Sequence, residues 1–511
     1  MRERLTLGLL LASIFAIRAI HPDQPIVENY VGRQIPTAMV ARNLERGNGF
    51  LFPQLDTGPF PNLFLVEPPI YAQLVVSVRS AVGFDLEPTG RWVSAVAVVL
   101  GGWGLFGLVR RREGLTVALV ALASFGIFPV MIRYGRAFQP DALMVGCLLA
   151  GLRGWDEWEN GGSWRWAVFG GFVLGIGLAL KITVAWALIP FVLIPKRWSI
   201  GWRLGVASLM LVPAGLWYLH VWQDFATSGA KGSLASSDNA SLWLQALSPE
   251  AWLRFVTYEN LGRGLVGSFT PVGFVLAIYG LLGSGKLDRL WVGWALGALL
   301  SIVGLASKWH HAYYWMVVAP LAAVGIARGL VHLGQLERFG RPASIGLGSF
   351  LLVMCVVQSA STFKTPEDWE SLNEATRQIH ALSGHWNVVV ASEAVLYYAD
   401  VRGCRLEFNP LAMKRAAGEF GYLMTDTSDP LALVEFYRDL LQTEFPLDKG
   451  STVEEIHQAA RNRQNRQTLL VADVGLTDHE PRRRAWRELI RRRPQTTILA
   501  DQPGYLIAEL R

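Results

Sequence analysis

Residues 92–132 read WVSAVAVVLGGWGLFGLVRRREGLTVALVALASFGIFPVMI. Two apolar runs, 92–109 and 115–132, flank the basic triplet Arg110-Arg111-Arg112, and each is close to the ~20 residues needed to cross a hydrocarbon core. This is the pattern of two membrane helices joined by a positively charged cytoplasmic turn. Working outward, comparable runs lie at 5–20, 140–153, 164–180, 182–195, 204–222, 263–283, 290–306, 312–331 and 342–359, which makes about eleven crossings by the length criterion. The expected fold class is therefore an α-helical polytopic membrane protein.

Composition agrees. Of 511 residues, 51% are hydrophobic and only 17% charged, with a mean hydropathy of +0.29, too apolar for a soluble chain of ordinary charge density. The net charge of +6 sits in short clusters beside apolar runs, where it serves as an orientation signal. A nucleic-acid partner is excluded on that ground. Three cysteines make no disulfide framework: Cys147 and Cys355 lie inside apolar runs, and only Cys404 falls in a polar region.

With the N-terminus in the cytoplasm, the inside loops carry Arg2 and Arg4, the 110–112 triplet, Lys196-Arg197 with Arg203, Lys286 and Arg289, and Arg328, Arg338 and Arg341. The first run carries Arg18 and leads straight into His21-Pro22-Asp23 without a small-residue cleavage pattern, so it reads as a retained helix. An odd number of spans puts the C-terminal part outside. From Thr362 onward the chain turns polar, with strand-like runs at Asn387–Ala391, Tyr422–Thr425, Thr468–Ala472 and Thr496–Ala500 between helix-like stretches such as Leu431–Leu441 and Arg483–Arg492. The expected organisation is a transmembrane domain over 1–360, with a long first outside loop at 21–91, and a soluble extracytoplasmic α/β domain over 361–511. The basic run 482–493 reads as a solvated helix face.

The chemistry-bearing residues fall in the outside loops. The first is far longer than a connector needs and holds Asp23, Glu28, Arg33-Gln34, Asn43, Asp56 and Glu67-Pro68-Pro69-Ile70-Tyr71. The second runs from Arg133 through Gly135-Arg136 to Pro140-Asp141 and puts Asp141 in the first turn of a membrane helix. A carboxylate there is either a charge favoured by the helix terminus or a functional group. The third, Lys308-Trp309-His310-His311-Ala312-Tyr313-Tyr314, gathers cations and hydroxyls suited to a phosphate, or else forms an interfacial aromatic belt with a snorkelling lysine.

These pieces in this order resemble the polytopic glycosyltransferases of the GT-C fold, specifically the dolichyl-phosphate-mannose protein mannosyltransferase and aminoarabinose transferase superfamily. The pieces are Arg33-Gln34 with Thr37 and Ala41-Arg42-Asn43, Glu67-Pro68-Pro69-Ile70-Tyr71, Gly135-Arg136 with Pro140-Asp141, and His311-Ala312-Tyr313-Tyr314. The resemblance covers about 1–360 and implies transfer of a sugar from a polyprenyl phosphate to a lipid, glycan or protein acceptor on the outer side of a membrane. It implies a multi-pass protein of a bacterial inner membrane, in contact with membrane lipids. One departure stands out: relatives carry an acidic residue in a pattern like Arg-Gln-x-Asp-Thr, and this chain has Pro36 there, which neither accepts a proton nor binds a metal. Glu67, Asp141, Glu28 and Asp23, in that order, are the candidates for the displaced role. The bond to be broken then assigns Glu67 or Asp141 to activating the acceptor, Lys308, His311 and Arg136 to the donor phosphate, and Arg33, Gln34, Tyr71 and Tyr314 to positioning. A divalent cation is compatible with the resemblance, but no ligand cluster of convincing spacing is present. The competing classes are a non-catalytic relative acting as a binding or assembly partner, which Pro36 invites, and a transporter or lipid flippase, for which two related halves are missing and Lys181 is the one candidate ionisable residue inside the membrane.

Overall fold

The computed structural model describes residues 2–28, 31–57, 63–193, 199–228, 249–305, 308–337, 339–382, 388–406, 469–475 and 481–510. Two compact units emerge: residues 1–24, 67–218 and 243–364 form a helical unit, and residues 25–66, 219–242 and 365–511 form an α/β unit. The first loop is thus divided, its 25–66 part grouping with the C-terminal segment.

In the helical unit the apolar runs are mostly helix among the described residues, several of them broken into shorter pieces. The axis is a 28-residue helix, α4 (Leu86–Glu113), against which α1 (Arg2–Arg18), α3 (Ile70–Val82), α5 (Leu115–Ile127) and α7 (Asp141–Glu159) pack. Beyond α7 lies α8 (Trp164–Leu180). Among the described residues three helices are long and apolar enough to cross a membrane, or up to four if one bent pair counts as a span. Eleven runs are therefore not matched by eleven full-length spans. The run at 263–283, read as one crossing, is two helices, Phe255–Phe269 and Pro271–Gly283, bent by 91°. The cause is local: Pro271 has no N–H to continue the ladder, and Thr270, at φ 63°, caps the new helix by accepting from Gly273 N at 3.1 Å. The run at 115–132 likewise breaks before Pro129, giving the short α6 (Pro129–Arg133).

Glycines let these helices touch backbone to backbone, which replaces hydrophobic drive in a lipid setting. A Cβ on Gly146 of α7 would lie 2.3 Å from the Ala97 carbonyl oxygen of α4, and one on Gly280 would lie 1.8 Å from the Gly325 carbonyl oxygen. No side-chain rotation relieves either clash.

The α/β unit contains a five-stranded sheet of order β2-β1-β3-β5-β4, with β1 (Val388–Ala391), β2 (Gly403–Arg405), β3 (Leu469–Val474), β4 (Thr496–Gln502) and β5 (Tyr505–Leu510). The β2-β1-β3 part is parallel, and β3-β5-β4 is antiparallel. The expected strands near 388, 469 and 496 are present. β5 was not anticipated, although Pro503-Gly504 is a turn signal between two strands. The runs expected at 422–425 and 431–441 lie outside the described residues.

The first loop closes the β2 edge. Thr57 bridges Gly403 in parallel, and Gly403 N donates to Asp56 O at 3.0 Å. Asp56, almost wholly buried, accepts from Arg42 Nη2 at 2.6 Å and Asn43 Nδ2 at 3.1 Å. Arg42 comes from the helix α2 (Val31–Glu45) and also donates to Tyr397 O at 2.6 Å while its guanidinium lies 4.6 Å above the Tyr397 ring.

Because a broken buried pair leaves an uncompensated charge, Asp56→Ala is expected to lower stability by about 3–5 kcal/mol, read as a fall in thermal midpoint, with Gln24→Ala in the helical unit as the comparison. Burial acts to raise the Asp400 carboxyl, but the hydrogen bond from Arg46 and the charges of Arg42 and Arg46 outweigh it and hold it below the usual range. This stabilisation is present above about pH 4 and is lost as pH falls through the depressed value. Acid unfolding should therefore lose part of its steepness in Asp400→Asn, which has no such proton to take up.

Candidate functional site

The site is built around the break between α6 and α7. Arg18, fully buried at the end of α1, donates from Nη1 to Ile14 O at 2.8 Å, from Nη2 to Gly126 O at 3.0 Å, and from Nε and Nη2 to Met131 O at 3.1 and 2.8 Å. The Gly126 and Met131 carbonyls sit where α5 ends and α6 turns, and Ile14 O lies in the last turn of α1, so one guanidinium satisfies helix-end acceptors that lipid could not. Gly135 follows; a Cβ there would lie 2.1 Å from Met131 O and 2.8 Å from Arg18 Nε. Only glycine allows the chain to pass so close to the arginine.

The next residue, Arg136, is fully buried. It donates from Nη2 to His21 O at 2.7 Å and lies 4.9 Å from the Phe363 ring centre. Pro140 ends the segment, and Asp141 opens α7, as expected from the sequence.

Asp141 is 1% exposed, and its Oδ1 is paired with the ammonium of Lys181. Lys181 stands between α8 and the 3-10 turn Ile182–Ala187 in an extended conformation (φ −152°, ψ 107°). The break delivers the side chain inward. Its Nζ lies 4.4 Å from the Tyr313 ring centre and 5.3 Å from that of Tyr314, close enough for cation–π attraction. The ring of His311 stacks on Tyr313 at 5.5 Å with an interplanar angle of 7°, and Tyr134 meets Tyr313 edge-on at 6.0 Å. Three parts of the chain far apart in sequence, 134–141, 181 and 311–314, thus form one contiguous group. Two polar side chains in it keep open valences: Asp141 Oδ2 and both side-chain polar atoms of the fully buried Gln139 make no hydrogen bond among the described residues. Buried polar atoms without partners are costly and call for an explanation, of which a water or a ligand is one.

The other expected residues fall as follows. Lys308 is half-buried in the 308–314 segment, where its carbonyl accepts from His311 N at 3.1 Å. Glu67 is buried just before α3. Tyr71 is committed to packing: its hydroxyl donates to Gly90 O at 2.8 Å and lies 2.9 Å from Ser94 Oγ, and its ring meets Phe138 edge-on at 5.7 Å. It ties α3 and α4 to the 134–141 segment. Arg33 and Gln34 belong to the α/β unit, on α2; Arg33 lies 5.6 Å from the Phe64 ring centre and Gln34 Nε2 donates to Glu28 O at 2.8 Å. Pro36 is inside that helix. Asp23 is exposed, and Glu28 is buried in the α/β unit.

Lys181 was noted in the sequence only as a candidate ionisable residue inside the membrane for the transporter reading. The signal that could have found it is its isolation: it alone interrupts apolar sequence from 166 to 193, and an intramembrane cation calls for a partner. Among the described residues no group of three or more His, Cys, Asp or Glu could hold a metal ion.

The fold, rather than the site, is that of a known class. The chain has the GT-C fold, the fold of polytopic glycosyltransferases. Residues 67–218 match the family model described as dolichyl-phosphate-mannose-protein mannosyltransferase. Among solved structures, ArnT from Cupriavidus metallidurans bound to undecaprenyl phosphate is similar with a TM-score of 0.59 at 13% identity, over 98% of this chain and 97% of that one. The Archaeoglobus fulgidus oligosaccharyltransferase is similar with a TM-score of 0.55 at 13% identity, over 92% of this chain and 69% of that one. The arabinofuranosyltransferase AftD from Mycobacteria gives 0.57 at 15% identity, with 99% of this chain and 40% of AftD covered. A comparison with curated protein sequences gives no match.

The Tyr71 tie makes a direct forecast. Tyr71→Phe should cost about 0.5–1.5 kcal/mol, the net worth of one hydrogen bond, seen as a lower thermal midpoint, while Gly135→Ala should cost more because backbone and a buried guanidinium stand in its way.

Proposed function

We propose that this chain is an integral-membrane glycosyltransferase that moves a sugar from a polyprenyl phosphate to an acceptor on the outer side of a membrane. The observation that carries the reading is the buried Asp141–Lys181 pair under the Tyr313-Tyr314 rings, with one carboxylate oxygen open. It supplies in one place what the reaction needs: a cation for a leaving phosphate and a carboxylate for an acceptor proton. The likeness to ArnT bound to undecaprenyl phosphate over nearly the whole of both chains supports the donor class.

In this reading the sugar C1–O bond to phosphate breaks as the acceptor oxygen or nitrogen bonds to C1. The electron pair leaves with the phosphate, which Lys308, His311 and Arg136 receive. The acceptor proton passes to Asp141 or Glu67. Tyr314 shapes the cation's surroundings, and Arg33 and Gln34 order α2. With the basic loops inside, the N-terminus lies in the cytoplasm and residues 361–511 outside.

Purified protein given undecaprenyl-phosphate-linked hexoses or pentoses should release free undecaprenyl phosphate when membrane glycolipid, glycan or peptide acceptors are added. Asp141→Asn and Glu67→Gln separate the two bases: the one that acts should abolish release with donor binding retained, and activity surviving in both would refute the mechanism. Lys308→Ala is expected to lose on the order of 100-fold in turnover, the scale of a lost transition-state donor; normal turnover would make it an interfacial residue. Wild-type protein inert with every donor would mark a non-catalytic relative, consistent with Pro36. A reporter fused after Arg511 should be active only if it works in an exported compartment, and a cytoplasmic signal would overturn the orientation.

A further inference from the structure

We infer that Lys181 is a shared cation: the donor phosphate takes its ammonium from Asp141, and the carboxylate released in this way receives the acceptor's proton. The inference rests on the transferase reading above and specifies the order of events within it.

The geometry has three parts. First, the ammonium has three donors. Asp141 Oδ1 takes one, and the Tyr313 and Tyr314 rings hold the charge on another side through their faces without consuming a hydrogen bond. Donors therefore remain for a phosphate oxygen while the rings keep the ammonium in place. Second, Asp141 is only half satisfied: Oδ2 makes no hydrogen bond among the described residues, and Gln139, two residues earlier and fully buried, has both polar side-chain atoms in the same condition. A hydroxyl or amine would find an acceptor on Asp141 Oδ2. Third, Lys181 sits at a helix break, in extended backbone between α8 and the 182–187 turn. A four-carbon side chain anchored there can swing its ammonium over a short distance without moving either helix.

Burial decides the consequence. A buried charge needs a partner, and losing one without replacement is severe. The ammonium leaves Asp141 only for another anion, and the monoanionic phosphodiester of the donor is one, gaining further charge as the C1–O bond breaks. Asp141 then needs a new hydrogen-bonding partner, which the acceptor's O–H or N–H provides. As C1 bonds to the acceptor, its proton moves to Asp141; the C1–O pair goes to the phosphate, which Lys181 neutralises. Donor binding thus precedes acceptor binding.

The test is binding, which is independent of turnover. Undecaprenyl phosphate is titrated into full-length protein in detergent, followed by tryptophan fluorescence. Lys181→Met should weaken binding about tenfold or more, the scale of one lost charge-assisted hydrogen bond, and Lys181→Arg should restore much of it, showing that the loss is not misfolding. Asp141→Asn should do the opposite and tighten binding severalfold, because the competitor for the ammonium is gone; Lys181→Met with Asp141→Asn should bind like Lys181→Met alone. If Asp141→Asn weakens binding or leaves it unchanged, the exchange is wrong even though the transferase reading stands. If wild-type protein does not bind undecaprenyl phosphate, the transferase reading fails and the inference with it.

Discussion

The pairing of Asp141 with Lys181 is the constraint around which the helical unit is arranged. Two opposite charges removed from water cost several kcal/mol each, and their attraction repays this only in good geometry. Such a pair is a poor way to gain stability, so its presence beneath two tyrosines needs another reason. The structure invests heavily in placing both partners. Arg18 pins the end of α5, Gly135 lets the chain pass, Pro140 starts α7 at Asp141, and a helix break turns Lys181 inward. Each device costs regularity in an apolar setting where unsatisfied backbone is heavily penalised. They converge on one ion pair.

The α/β unit solves a different problem by related means. A parallel sheet ending in the short strand β2 would present open N–H and C=O groups, which invite pairing with another chain. Here the edge is taken by residues 56–57 of the first loop, locked by Arg42 onto Asp56 and onto Tyr397. A loop that looks excessive for a connector thereby becomes part of a folded body. Its Arg42-Asn43 motif, read from sequence as part of a functional signature, is occupied in structural contacts.

How much was legible follows the range of the interactions. The mostly helical character of the helical unit was legible because its signal, a run of apolar residues, is local, whereas α3 lies in a stretch read only as loop. The breaks at Pro129 and Pro271 were readable in principle, since proline is local too, but runs of apolar residues drew the count past them. Strands near 388, 469 and 496 carried their β-branched and aliphatic cores openly. What sequence could not supply was the partner of Asp141. Forty residues separate it from Lys181 and more than 170 from Tyr313, and no propensity or spacing rule spans such distances. Lys308 stood in a visible cluster of cations and drew the attention that the isolated Lys181 did not.

Pro36 can now be weighed physically. It sits within α2, where it removes one backbone donor, and Thr37 Oγ1 donates to Arg33 O at 2.8 Å in the same turn. The position is therefore accommodated as helix. A transfer reaction of the kind proposed needs one cation to accept the phosphate's growing charge and one carboxylate to take a proton. Both are present in the helical unit at Lys181 and Asp141, already in contact and already buried. An acid at position 36 would add a second carboxylate, and the chemistry proposed here does not call for one. On the proposed reading, the proton role that an acid at position 36 would fill falls to a carboxylate elsewhere, and Asp141, paired with Lys181 and with one oxygen open, is a candidate beside Glu67.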